Sequence, residues 1–107
     1  MRTLFAFIAM VLAGFSLNLG AEPASGRHIF DQWCVHCHAA GPANAGTVSL
    51  SRSRGADYSI LTDRIDLTAA YIKVVVRTGI KQMPSFRLLE ISDEELESLA
   101  NYLTQHR

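Results

Sequence analysis

The chain has 107 residues, with 10 basic residues against 10 acidic ones and a net charge of zero. That balance gives no support to a nucleic-acid or membrane-surface binder, which needs a basic excess. The chain holds two cysteines, and their placement is the feature to explain.

The first segment carries Arg2, an uncharged apolar run from Leu4 to Leu19, then Gly20-Ala21 and a polar restart at Glu22-Pro23. This is the layout of a secretory signal peptide over residues 1–21, with cleavage expected after Ala21. An uncleaved anchor is the alternative. The run is short for a membrane span and no second apolar segment follows it, so no stable membrane insertion is expected after cleavage. Export places residues 22–107 in the periplasm as one domain of about 86 residues, a size at which a lone hydrophobic core is marginal.

Ser25 is suited to cap a helix whose apolar positions Ile29, Phe30, Trp33, Cys34 and Cys37 recur at helical spacing. Its last turn reads Cys34-Val35-His36-Cys37-His38, the spacing that attaches haem covalently. Each thiol can form a thioether with one porphyrin vinyl group, and His38 follows as the proximal iron ligand. The expected cofactor is therefore one covalently bound haem c per chain. A large apolar group in the middle would also complete the undersized core.

Three rivals compete for the cysteine pair. Zinc needs four ligands, and with no third cysteine the set would have to come from His28, His36, His38 and His106. A periplasmic thiol–disulfide oxidoreductase using Cys34 and Cys37 fits the pair but requires a βαβ framework, of which the later sequence shows no sign. A purely structural disulfide is the third. Haem attachment itself requires that the thiols be kept reduced in an oxidising compartment until the reaction occurs.

Residues 39–57, rich in Ala, Gly, Ser and Asn with Pro42, show no sustained period and read as a loop. A short helical turn is expected near Tyr58–Leu61. A second helix starts near Asp66 or Thr68, with Tyr71, Val74, Val75 and Thr78 on one stripe, and stops at Gly79. Its consecutive valines also permit a strand, but Ala69, Ala70 and Gly79 favour the helix. In the last helix Ser92 and Glu95 form a capping box, Ile91 and Leu96 a hydrophobic staple, and Leu96, Leu99, Ala100 and Leu103 the buried stripe. Asp93, Glu94 and Glu95 sit where the helix dipole favours negative charge.

What occupies the iron's other face decides between electron transfer and oxygen chemistry. Met1 and Met10 leave with the leader, so Met83 is the remaining thioether, and Pro84 stiffens the backbone beside it. Met83 is read as the distal ligand, the alternative being a methionine that fills the core. His28, His36 and His106 are read as solvent-facing. Two axial ligands leave iron no vacant position, so one-electron exchange is the expected work; a five-coordinate haem would bind small gases or peroxide instead.

With these motifs the chain resembles class I cytochromes c: a haem-attachment motif near the mature N-terminus, Met83-Pro84 in a loop, and a last helix ending in Leu99-Ala100-Asn101-Tyr102-Leu103. The resemblance implies an all-α fold of three to four helices wrapped around one haem, the first and last helices crossing. Gly26, Phe30 and Tyr102 match the crossing positions. It also implies a proline carbonyl on the proximal imidazole, for which Pro42 is the candidate.

A narrower likeness runs through Ala70–Phe86 and Ile91–Leu96, which look like the cytochrome subunits of the 4-cresol dehydrogenase (hydroxylating) and eugenol hydroxylase flavocytochromes. It implies an FAD-containing dehydrogenase or hydroxylase subunit as electron donor and a separate downstream acceptor, with no catalysis by this chain alone. A free monohaem carrier with another donor is the alternative. Lys73, Arg77, Lys81 and Arg87 flank Met83, and they are expected to offer a basic face to such a partner.

Overall fold

In the computed structural model, which describes residues 24–105, every regular element is helical. The leader assigned to residues 1–21 lies outside the described residues, as does His106. Helix α1 (Gly26–Ile29), a π-helical turn (Phe30–Cys34) and α2 (Val35–His38) follow one another without a break and form a single N-terminal helix. Ser25 caps it as expected, its hydroxyl accepting the His28 N–H at 3.3 Å. The π turn was not anticipated. By widening the helix where the amide of Val35 donates back to the Phe30 carbonyl, it resets the rotation of everything that follows, including the cysteine motif.

Helix α5 (Asp93–Thr104) crosses this N-terminal helix, and α4 (Ala69–Thr78) packs beside it. The capping box of α5 forms in full, with the Ser92 amide donating to Glu95 at 2.8 Å and the Glu95 amide to Ser92 at 3.2 Å. Ile91 and Leu96, the two halves of the staple, are buried, as is the whole Leu96, Leu99, Ala100, Leu103 stripe. Gly26 and Phe30 meet α5 as the crossing requires: the rings of Phe30 and Tyr102 lie 5.9 Å apart. Ile29, Phe30, Ile72 and Val76 close the core from the other helices.

Two sequence expectations are corrected. Residues 39–57 are not a loop, for α3 runs from Ala45 to Arg54. Its period is invisible because it buries Thr47 and packs through Gly46, and neither is a large apolar residue. In α4 the limits are as expected, with the Thr68 hydroxyl capping the Tyr71 amide and Gly79 ending the helix at φ +69°. The buried stripe, however, is Ile72 and Val76, whereas Tyr71 and Val74 are exposed. Apolar residues crowd this helix so densely that two stripes were available, and packing against α5 chose between them.

The expected turn at Tyr58–Leu61 becomes two 3₁₀ turns, Ala56–Tyr58 and Leu61–Asp63. Just beyond them Arg64 is buried, forks onto Asp66 at 2.8 and 2.6 Å, and lies 5.6 Å from the centre of the Tyr58 ring. A buried guanidinium with two carboxylate bonds pins the connection between α3 and α4.

Candidate functional site

The N-terminal helix sets Cys34, Cys37 and His38 on its final turns, and Ala39 turns the chain out of the helix with ψ 157°. Cys34 is half-buried against the core and Cys37 is exposed; both are free thiols. Burial, and secondarily the neighbouring Cys37, pushes the Cys34 thiol up to about 12. Thiol–disulfide enzymes depend on the opposite, a cysteine made acidic at a helix N-terminus, and here the pair sits at a helix C-terminus. Among the described residues no three His, Cys, Asp or Glu side chains cluster as a zinc site requires. His36 and His28 face solvent.

His38 is half-buried, and that burial lowers its pKa, so it is held as a neutral imidazole with a lone pair available to a metal ion. Its Nδ1 is buried without a hydrogen-bond partner. The carbonyl of Pro42, the sequence candidate for that atom, therefore does not reach it. What does touch the ring is Gly46: a Cβ built there would stand 2.8 Å from the His38 Cε1, 3.0 Å from its Nδ1 and 2.8 Å from the Cys37 carbonyl oxygen. The next residue, Thr47, is buried and donates its hydroxyl to the Ala39 carbonyl at 2.7 Å, tying α3 to the end of the motif.

Met83 lies on the segment between α4 and α5. The Ile80 amide donates to the Met83 carbonyl at 3.2 Å and the Met83 amide to Ile80 at 2.9 Å, closing a tight turn with Lys81 at φ +53°. Met83 is half-buried against the same core cluster that Cys34 and Trp33 border. Three residues on, the Phe86 ring meets Trp33 edge-on at 5.8 Å, and the Phe86 amide donates to the Val76 carbonyl at 2.8 Å. The methionine segment is thus stapled both to the motif-bearing helix and to α4. An open cleft of ≈ 490 Å³ lies between α3 and Gln82, the residue before Met83.

The basic flank read from the sequence is largely consumed inside the molecule. Lys73 pairs with Glu97, Arg77 with Asp93 at 2.8 Å, and Arg87 with Glu90 at 3.7 Å. Arg77 also donates to the Phe86 and Ile91 carbonyls at 3.2 and 2.8 Å, so it clamps the methionine segment between α4 and α5. It is a positioning group that no motif announced. Gly46 and Thr47 were missed for a related reason, since they lay in a stretch with no detectable period.

Two thiols in one helical turn, a neutral imidazole beside them and a thioether bordering the same core are chemically the donor set that a haem c uses. The family described as "Cytochrome C oxidase, cbb3-type, subunit III" matches residues 21–103. The 4-cresol dehydrogenase [hydroxylating] cytochrome c subunit of Pseudomonas putida is 30% identical over 95 residues, covering 89% of this chain and 72% of that relative. Among solved structures, a crystal structure of p-cresol methylhydroxylase with substrate bound matches at TM-score 0.55 and 32% identity, over 77% of this chain and 92% of that one. No helix among the described residues is long and apolar enough to cross a membrane. Family match, relative and fold agree with the motif-bearing helix and its α5 crossing: the chain belongs to the cytochrome c family of haem-dependent electron-transfer proteins.

Proposed function

We propose that this chain is an exported cytochrome subunit that takes electrons one at a time from an FAD-containing, alkylphenol-oxidising partner and passes them to a downstream acceptor. The observation that carries this reading is the likeness, over 89% of the chain, to a cytochrome c subunit of a 4-cresol dehydrogenase. Residues 1–21 serve as the leader, and the remainder works in the periplasm.

Cys34 and Cys37 would hold one haem c covalently, and His38 and Met83 would ligate its iron. When bound, the haem supplies Fe(III)/Fe(II) exchange. The chain's own contribution is to present both ligands at once, so that the iron would be left no site for small molecules, and to set them against the apolar core. A thioether paired with an imidazole on the iron would favour the ferrous state relative to two imidazoles. The Trp33–Phe86 contact and the Ile80–Met83 turn serve that end by fixing the methionine segment against the motif-bearing helix.

Untagged purification from the native host tests both halves. The protein should be red, keep its colour when denatured, and co-elute with an FAD-containing subunit. A colourless chain with reversible Cys34–Cys37 oxidation would instead establish a thiol–disulfide enzyme, and a red chain eluting alone a free carrier. Met83→Ala should convert the low-spin spectrum to one that is high-spin and binds carbon monoxide rapidly. An unchanged spectrum would remove Met83 from the iron.

A further inference from the structure

We propose that α3 is the proximal wall of the site, and that Gly46 is a positioning residue which fixes the plane of the His38 imidazole by direct backbone contact. The inference rests on the reading of His38 as the iron's proximal ligand and adds what orients it.

A ligating histidine is commonly oriented by a hydrogen bond from its second ring nitrogen. In this chain the buried Nδ1 of His38 has no such partner. The ring is instead packed against the one residue of α3 that has no side chain. A Cβ at position 46 would meet ring atoms at 2.8 and 3.0 Å and, on its other side, the Cys37 carbonyl at 2.8 Å, closer than a Cβ tolerates. Neither neighbour can yield freely. The carbonyl is backbone inside the turn that carries Cys37, and the imidazole would be held by its bond to iron. α3 cannot retreat easily either, because the buried Thr47 hydroxyl holds it to the Ala39 carbonyl at 2.7 Å, immediately after the ligand. Gly46 and Thr47 together therefore form a shape-defined seat for the ring, made by contact where a hydrogen bond is usual.

The sign of one substitution separates this from a merely helical role. Alanine in place of glycine inside a helix ordinarily stabilises it. With the seat as described, Gly46→Ala should lower the thermal midpoint of the ferric holoprotein, shift its electron paramagnetic resonance g-values, and move the hyperfine-shifted His38 ring resonances. Ser51→Ala, a change on the same helix away from the ligand, should leave those signals in place.

Thr47→Val, which preserves volume and loses the hydroxyl, should move the His38 resonances in the same sense, and Thr47→Ser should restore them. This pair of variants is decisive if Gly46→Ala accumulates no holoprotein. A red Gly46→Ala protein with wild-type g-values and a raised midpoint would overturn the role of Gly46 while leaving the haem reading intact. So would a Ser51→Ala protein whose signals move equally, or a Thr47→Val protein indistinguishable from wild type. A colourless wild-type chain would overturn the haem reading itself, and the seat with it.

Discussion

Gly79 lies directly beneath the backbone of Met83: a Cβ on the glycine would stand 2.6 Å from the Met83 carbonyl oxygen and 3.0 Å from the Ser85 amide. The same glycine adopts φ +69°, a region that side chains enter at a cost. The residue that stops α4 is therefore also the floor on which the methionine segment rests. Gly79→Ala should cost about 1–3 kcal/mol from strain and collision together. Because the displaced atom belongs to Met83, the proposed iron ligand, a high-spin fraction should appear in the optical spectrum alongside the loss of stability measured by denaturant titration.

A methyl group added to Gly26 would meet Tyr102 Cβ at 2.6 Å and collide with the Ser98 carbonyl. Here the helix crossing is set by the absence of a side chain. Gly26→Ala should gain slightly in helix propensity but lose more to overpacking, for a net destabilisation of about 1–3 kcal/mol. The far-red absorption band expected of the proposed iron–thioether bond should persist in the folded fraction, since the colliding atoms belong to Ser98 and Tyr102.

Arg77 satisfies two carbonyls and one carboxylate at once, joining Phe86, Ile91 and Asp93. Lysine keeps the charge but cannot fork to the same three acceptors. Arg77→Lys should therefore lower stability by about 1–3 kcal/mol. It should also loosen the methionine segment, which hydrogen exchange at the amides of Met83 and Phe86 would detect as faster exchange.

Three of the four cations around Met83 are already paired within the chain, while Lys81, on the tight turn itself, makes no ion pair among the described residues. Electron transfer from the proposed flavoprotein partner should accordingly depend only weakly on ionic strength. Lys81→Glu should slow it more than Lys73→Gln does. A steep salt dependence measured by stopped flow would mean that the internal pairs open on docking.

The hydrogen bonds from Arg64 hold the Asp66 carboxyl below the usual carboxylate range. A depressed folded-state pKa gives a contribution that is fully present above the unfolded value, near 3.9, and is lost as pH falls through the lower folded one. The difference in thermal midpoint between wild type and Asp66→Asn should be constant from pH 5 to 7, and should shrink as acid protonates Asp66 below about pH 4.

Elements whose signals are local could be read directly from the chain. Ser25, Thr68, Ser92 with Glu95, and Gly79 mark helix ends through bonds made within a few residues, and all of them function as expected. The motif Cys34 to His38 was legible for the same reason, as a short spacing, whereas Gly26, Phe30 and Tyr102 were implied by the resemblance to class I cytochromes c and take the crossing positions in the fold. Tertiary packing alone decided which face of α4 is buried, because apolar residues on neighbouring faces left the choice to α5. It alone revealed α3, whose buried side is made of Gly46 and Thr47 and carries no hydrophobic period. And it alone turned Arg77 from a surface cation into the clamp on the methionine segment, since its three acceptors lie 9 to 16 residues away and meet only once the helices have docked.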